Sequence, residues 1–155
     1  MEFRIGESPD VVALTTLINA AFRKAESFFI DGDRIDCEAV RSLMAKGKFV
    51  VADEDGIFAG CVYVELRGER AYLGLLSVDT SLQRAGIGSA LVKEAEEICT
   101  NAGCRYMDLR TVNLRTDNRT FYSRRGYVEI GTEPFPGELN PKLPCHFVNM
   151  TKRLR

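Results

Sequence analysis

The chain has 155 residues, 45% hydrophobic and 28% charged, with 21 basic and 22 acidic side chains and a formal net charge of −1. This length suits one globular domain with a real core, so residues 1–155 are read as a single domain. The even charge balance argues against nucleic acid or a membrane surface as partner.

No apolar run approaches the roughly 20 residues of a membrane span. The opening Met1-Glu2-Phe3-Arg4-Ile5 has no apolar signal core. The five cysteines form no C-x-x-C pair and there is a single histidine, so zinc-ligand spacing is missing and no metal is expected. Such cysteine usage fits a reducing cytoplasm.

In chain order, Phe3 to Ile5 reads as a short strand. Ser8-Pro9-Asp10 then opens a helix with Val11, Leu14, Leu17, Ile18 and Ala21 at helical spacing. A second helix is predicted over Ile35 to Met44. Phe49 to Asp53 and Ile57 to Leu66 read as a hairpin across Asp55-Gly56. Gly68-Glu69 turns the chain into a fourth strand, Tyr72 to Val78. Ile87 to Thr100 is amphipathic, with Ile87, Leu91, Ala95 and Ile98 on one face. A strand (Cys104 to Thr111), a short helix (Thr116 to Arg124) and a sixth strand (Tyr127 to Gly131) follow. A proline-laced loop, Glu133 to Pro144, leads to a last strand, Cys145 to Lys152. This order argues for an α+β or mixed α/β domain.

The most informative stretch lies between the fourth strand and the amphipathic helix, Gln83-Arg84-Ala85-Gly86-Ile87-Gly88-Ser89. Glycines at a helix start let backbone N–H groups approach a ligand. The first N–H groups of a helix have no internal partners and sit at its positive end. Together they suit a phosphate or pyrophosphate, with Arg84 adding a cation. A P-loop would need a lysine after the second glycine, where Ser89 stands. A dinucleotide-binding Rossmann turn would need a third glycine where Leu91 stands, and the loop from Asp79 is too long for it. Asp108 at the place of a ribose-binding acid keeps that reading as a competitor.

The spacing Gln83-x-x-Gly86-x-Gly88 resembles the coenzyme A signature of the GNAT N-acetyltransferase superfamily. Further on, Phe121-Tyr122-x-x-x-Gly126-Tyr127 is similar to that family's late motif, and the two occur in the family's order. The resemblance covers about residues 45 to 130. It implies a central, largely antiparallel sheet whose fourth and fifth strands splay apart, with helices on its faces. It also implies acetyl-CoA as co-substrate. The pantetheine arm would pair with strand-four backbone at Leu76, Ser77 and Val78, and the pyrophosphate with Gln83, Arg84, Ala85, Gly86, Ile87, Gly88 and Ser89. The acceptor would be a primary amine, on a small molecule or a peptide amino terminus. Neither nucleic acid nor membrane is expected as partner, and a homodimer is a candidate assembly. The family's tyrosine acts as general acid, a role that falls on Tyr122. The family's asparagine usually sits seven residues earlier, where this chain has Arg115. Asn113 and Asn118 flank the position, and Asn113 is kept as a cofactor contact.

Acyl transfer needs oxyanion donors and an acid for the leaving thiolate. A phenol, with a reference pKa of about 10, stays protonated at neutral pH and can donate. Tyr122 is the candidate acid, against a packed aromatic as the plain alternative. Asp108 and Glu65 are candidate bases, against paired strand residues or a water relay. Glu65 shares a strand face with Tyr63 and Cys61. Arg115, Arg119, Arg124 and Arg125 are either a solvated face or help for the cofactor's phosphates. Phe28 and Phe29, with Asp31 and Asp33, are a candidate acceptor pocket with an apolar wall and negative charge, suited to a cationic amine. The alternative for the two phenylalanines is core. A coenzyme A-binding sensor, or an inactive GNAT-like module, is the rival reading of the whole.

Overall fold

A computed structural model describes residues 1–82 and 86–155. It contains one seven-stranded sheet in the order β1-β2-β3-β4-β5-β7-β6. The strands are β1 (Glu2–Ile5), β2 (Lys48–Glu54), β3 (Ile57–Arg67), β4 (Arg70–Val78), β5 (Tyr106–Val112), β6 (Val128–Pro134) and β7 (His146–Arg153). The helices are α1 (Val11–Glu26), α2 (Cys37–Lys46), α3 (Ile87–Asn101) and α4 (Thr116–Ser123). Every neighbouring strand pair is antiparallel except β4–β5. Mixed α+β architecture and a largely antiparallel sheet are therefore what the molecule has.

Side chains alternate across a strand, and here the alternation divides the core into two layers. Val50, Ala52, Val62 and Val64 face α3, where Ile87, Leu91, Val92, Ala95 and Cys99 meet them. Phe49, Val51, Cys61 and Tyr63 face the other way, onto Leu14, Leu17 and Ile18 of α1 and Val40 of α2. A sheet covered on both faces has strands that read as continuous apolar runs, which is why β2 and β3 are plain in the sequence.

β4 pairs with β5 only at Arg70–Tyr72 against Tyr106–Asp108. From Leu73 onward its β5-facing edge has no strand partner, so the two strands separate. Within this stretch the β3–β4 register shifts between Cys61 and Tyr63, and Leu75 adopts a left-handed φ of 54°. A bulge of this kind turns the backbone and is often found beside active sites. For a leucine the left-handed region costs roughly 1–2 kcal/mol, so surrounding structure must hold it there.

Two predicted bounds move by more than two residues. α1 continues to Glu26, beyond the Val11–Ala21 apolar stripe. β6 runs to Pro134, three residues past its predicted end, because Thr132–Pro134 pair with His146–Val148. Proline is tolerated there because β6 is the sheet's last strand.

Candidate active site at the open β4–β5 seam

A cavity of about 270 Å³ occupies the open end of the seam. Leu73–Leu76 of β4 and Leu109–Val112 of β5 form its walls, with Tyr122 of α4 at one side. Its mouth is built from the α1–α2 connection (Ile30–Arg34) and from Phe135, Pro136 and Leu139 beyond β6. The two irregular stretches of the sequence thus meet over one opening.

Tyr122 is buried, packed edge-on between Phe121 and Tyr127. Burial pushes its phenol well above the ordinary range, opposed by the positive charge of Arg115. Its hydroxyl makes no hydrogen bond among the described residues, although the ring lines the cavity. A protonated phenol left free to donate into a cleft is what a general acid requires.

At the other flank, α3 begins at Gly86 in a left-handed conformation (φ 73°), with no side chain capping the helix. A residue with a Cβ would be strained at that angle. Ala90 N–H to Gly86 carbonyl, at 3.1 Å, is the first turn of the ladder, so the preceding N–H groups have no helical partner. Gly88 differs from Gly86: a Cβ there would meet only ordinary contacts with Phe121 and Val78, at 3.6 Å and beyond. The Ile87 side chain is core, so only its backbone is available. Arg125 stacks on Phe121 and hydrogen-bonds Ser89, placing one of the four sequence-flagged arginines at this helix start. Arg124 lies in the same open depression between α3 and α4. Gln83, Arg84 and Ala85 lie outside the described residues.

Along β4, Leu76 reaches the cavity. Ser77 is buried, and its hydroxyl donates to the Leu75 carbonyl at 3.0 Å. Val78 is half-buried and packs against the α3 side of the core.

Several predicted residues are not brought to the cavity. Asp108 sits at the closed end of the seam, where Arg70 grips both oxygens at 2.7 Å and the Thr151 hydroxyl adds a third bond at 2.7 Å. These bonds, that of Arg70 first, hold its carboxyl below the ordinary range, the reverse of a poised base. Glu65 accepts from Arg67 at 2.6 Å and from the Tyr63 hydroxyl at 2.8 Å, and is held low in the same way. The Asn113 side-chain oxygen is taken by the His146 N–H at 2.8 Å, securing the start of β7. Phe29 is fully buried while Phe28 is 52% exposed, so the pair is split between core and solvent and neither forms a cavity wall. Asp31 and Asp33 do line the mouth, but they pair with Lys142 and Arg23. The negative charge read from the sequence is therefore largely offset in space.

The sequence reading missed Glu26, which lies in the cavity wall at the end of α1. Arg115, at the place of the family's asparagine, is buried and fully engaged. It donates to Glu26 at 2.9 Å, to both Asp117 oxygens at 2.9 and 3.0 Å, and to the Asn118 side-chain oxygen at 3.0 Å. The helix before the loop carried no signal for this, because Glu26 follows Arg23 and Lys24 and reads as one more solvated charge.

Residues 22–154 match the family model of the acetyltransferase (GNAT) domain. The chain belongs to the GNAT acetyltransferase family. The uncharacterized protein YdhI of Bacillus subtilis is 30% identical over 100 residues, which are 62% of this chain and 61% of YdhI. The match thus spans less than two thirds of that relative's length. Among solved structures, the ribosomal-protein-S18-alanine N-acetyltransferase from Escherichia coli superposes with a TM-score of 0.80 at 15% identity, covering 99% of this chain and 93% of that one. An aminoglycoside 6′-N-acetyltransferase complexed with coenzyme A gives 0.77 at 18% identity, covering 100% and 98%. At such identities the likeness is one of fold. It extends through the N-terminal third, where the sequence motifs are silent. Among the described residues no helix is long and apolar enough to cross a membrane, and no group of His, Cys, Asp and Glu side chains could hold a metal.

Proposed function

We propose that residues 1–155 act as one acetyl-CoA-dependent N-acetyltransferase unit. It moves the acetyl group to a primary amine, on a small molecule or a peptide amino terminus, by direct attack with Tyr122 as general acid. The observation that carries this reading is the free Tyr122 hydroxyl in a cavity whose β4 wall has an unpaired backbone edge. That edge, at Leu76–Val78, offers donors and acceptors to the amides of a pantetheine arm. The uncapped start of α3, from Gly86 to Ser89, offers N–H groups to a pyrophosphate. Arg124 and Arg125 stand beside it. The left-handed backbone at Leu75 turns the strand where it lines the cavity, and the N–H groups of this stretch are the candidate donors to a developing oxyanion. The amine enters past Asp31 and Asp33. The aminoglycoside enzyme's coenzyme A supports the same class of co-substrate here.

Two measurements test the reading. Calorimetry with acetyl-CoA should show one site per chain, and a thiol-release assay against a panel of amines and peptide amino termini should find an acceptor. Failure to bind acetyl-CoA removes the proposal. Binding with no turnover across the panel favours a coenzyme A sensor or an inactive module.

A further inference from the structure

Acetyl transfer to an amine, as proposed above, has one chemical need that Tyr122 does not meet. An alkylamine arrives as an ammonium, and its lone pair is not available until a proton leaves. A protonated phenol cannot accept that proton. The cavity holds three carboxylates, Glu26, Asp31 and Asp33. Asp31 and Asp33 stand at the rim with side chains 80% and 60% exposed, each against a cation.

Glu26 also meets a cation, but it is buried. It is 9% exposed. One oxygen, Oε2, accepts from Arg115 at 2.9 Å. The other, Oε1, has no partner among the described residues and is not sealed from open space. The only opening among those described that Glu26 lines is the cavity shared with Tyr122.

We propose that Glu26 is the general base of this transfer, with Arg115 as the residue that positions it. The anchored oxygen fixes the carboxylate, and the other oxygen is left to take a proton from an ammonium in the cavity that Glu26 lines. The groups around it come from every neighbouring element. Arg115 precedes α4, Asp117 belongs to α4, Arg34 lies in the α1–α2 connection, and Cys145 precedes β7. Burial is the largest influence and raises the Glu26 carboxyl above its ordinary value, opposed by Arg115 and Arg34. A carboxylate raised in this way is a stronger base at neutral pH.

The protons and electrons balance. The ammonium gives one proton to Glu26 Oε1, leaving a neutral amine. Its lone pair forms the C–N bond at the thioester carbonyl carbon while the C=O pair moves to oxygen. As the carbonyl re-forms, the C–S bond breaks and its electron pair leaves with sulfur, which takes the phenolic proton of Tyr122. The amide nitrogen returns its surplus proton to the tyrosinate. Glu26 releases its proton to solvent through the mouth, so one proton is liberated per amide and thiol formed.

The test uses two probe acceptors of similar size, benzylamine and aniline. The first is protonated at neutral pH and the second is already neutral. In Glu26→Gln the amide oxygen still accepts from Arg115, and thermal melting and acetyl-CoA calorimetry verify the fold. The variant should lose roughly 10²-fold or more of kcat/KM on benzylamine. On aniline it should lose less than about threefold, since no proton need leave before attack. The acidic limb of the benzylamine pH profile, set by Glu26 in the wild type, should move up to the titration of the amine itself, because the variant can use only the neutral amine. Should the variant not fold, Glu26→Asp keeps the charge but withdraws it from the cavity; kcat on benzylamine should fall with the limb retained. Equal losses on both amines, or full activity on benzylamine, overturn the proposal. A ¹³C NMR titration of the Glu26 carboxyl in the coenzyme A complex provides an acceptor-independent readout. Titration within the ordinary carboxylate range also overturns it. A wild-type protein that acetylates no amine at all defeats the transferase reading instead, and the titration still decides the state of Glu26.

Discussion

The two ends of the β4–β5 seam carry similar chemistry under opposite conditions. At the closed end, Asp108 meets Arg70 and Thr151, and both of its oxygens are bonded. At the open end, Glu26 meets Arg115 with one oxygen and keeps the other free. Asp108 is held low because bonds to its charged form outweigh its partial burial. Glu26 is raised because burial outweighs the pull of Arg115 and Arg34. An acid–cation pair is therefore structural at one end of the seam and chemically open at the other, and the difference is two hydrogen bonds plus loss of solvent.

The sharpest way to break this contrast is Tyr122→Phe. It removes only a hydroxyl without a partner, so packing should survive. We expect kcat to fall by roughly 10²–10⁴-fold, with acetyl-CoA affinity and melting temperature little changed. Steady-state kinetics with calorimetry would show it. Activity within about twofold of wild type would make Tyr122 a packing residue.

Gly86→Glu attacks the open end from the cofactor side. The left-handed φ adds roughly 1–2 kcal/mol of strain, and a carboxylate replaces open space at the positive helix end. Acetyl-CoA affinity should drop at least about tenfold in a protein that still melts cooperatively. Gly88→Ala is the matched control for the fold, since its Cβ meets only ordinary contacts. Loss of melting stability in Gly88→Ala would contradict the packing described.

At the closed end, Asp108→Asn should change stability and spare chemistry. A half-exposed pair of this kind is worth about 0–1 kcal/mol, so the melting temperature should fall slightly and kcat should stay within about threefold. The sign with pH follows from the lowered carboxyl. Its stabilisation is present above the unfolded-state pKa and is lost as pH falls through the lower folded-state value. Acid unfolding curves of wild type and variant should therefore converge at low pH. A large kcat loss would place Asp108 in the chemistry after all.

The smallest effect is expected at the mouth. Asp31→Asn with Asp33→Asn removes two exposed charges already paired with Lys142 and Arg23. KM for a cationic acceptor should rise by less than about threefold, with KM for acetyl-CoA unchanged. A larger rise would mean that the acceptor displaces those cations.

Much of this was legible along the chain, and unevenly so. β2, β3, α3 and the hairpin at Asp55-Gly56 were plain, because periodicity and turn chemistry are local. The phenylalanine pair shows where locality stops. Phe28 and Phe29 are adjacent in a loop, and which of them enters the core depends on a chain turn that has no period. Asp108 and Glu65 were placed on strands correctly, but a strand position does not reveal which end of a seam will close, nor which arginine from another strand will reach across.

Glycine spacing and the tyrosine motif were enough to name the family, because both act through short-range backbone geometry at one helix start and one helix end. The Glu26–Arg115 pair joins residues 89 positions apart and becomes a site only when α1 is laid against the beginning of α4. Charge in a sequence has no dielectric; burial supplies one, and with it the difference between a solvated glutamate and a base.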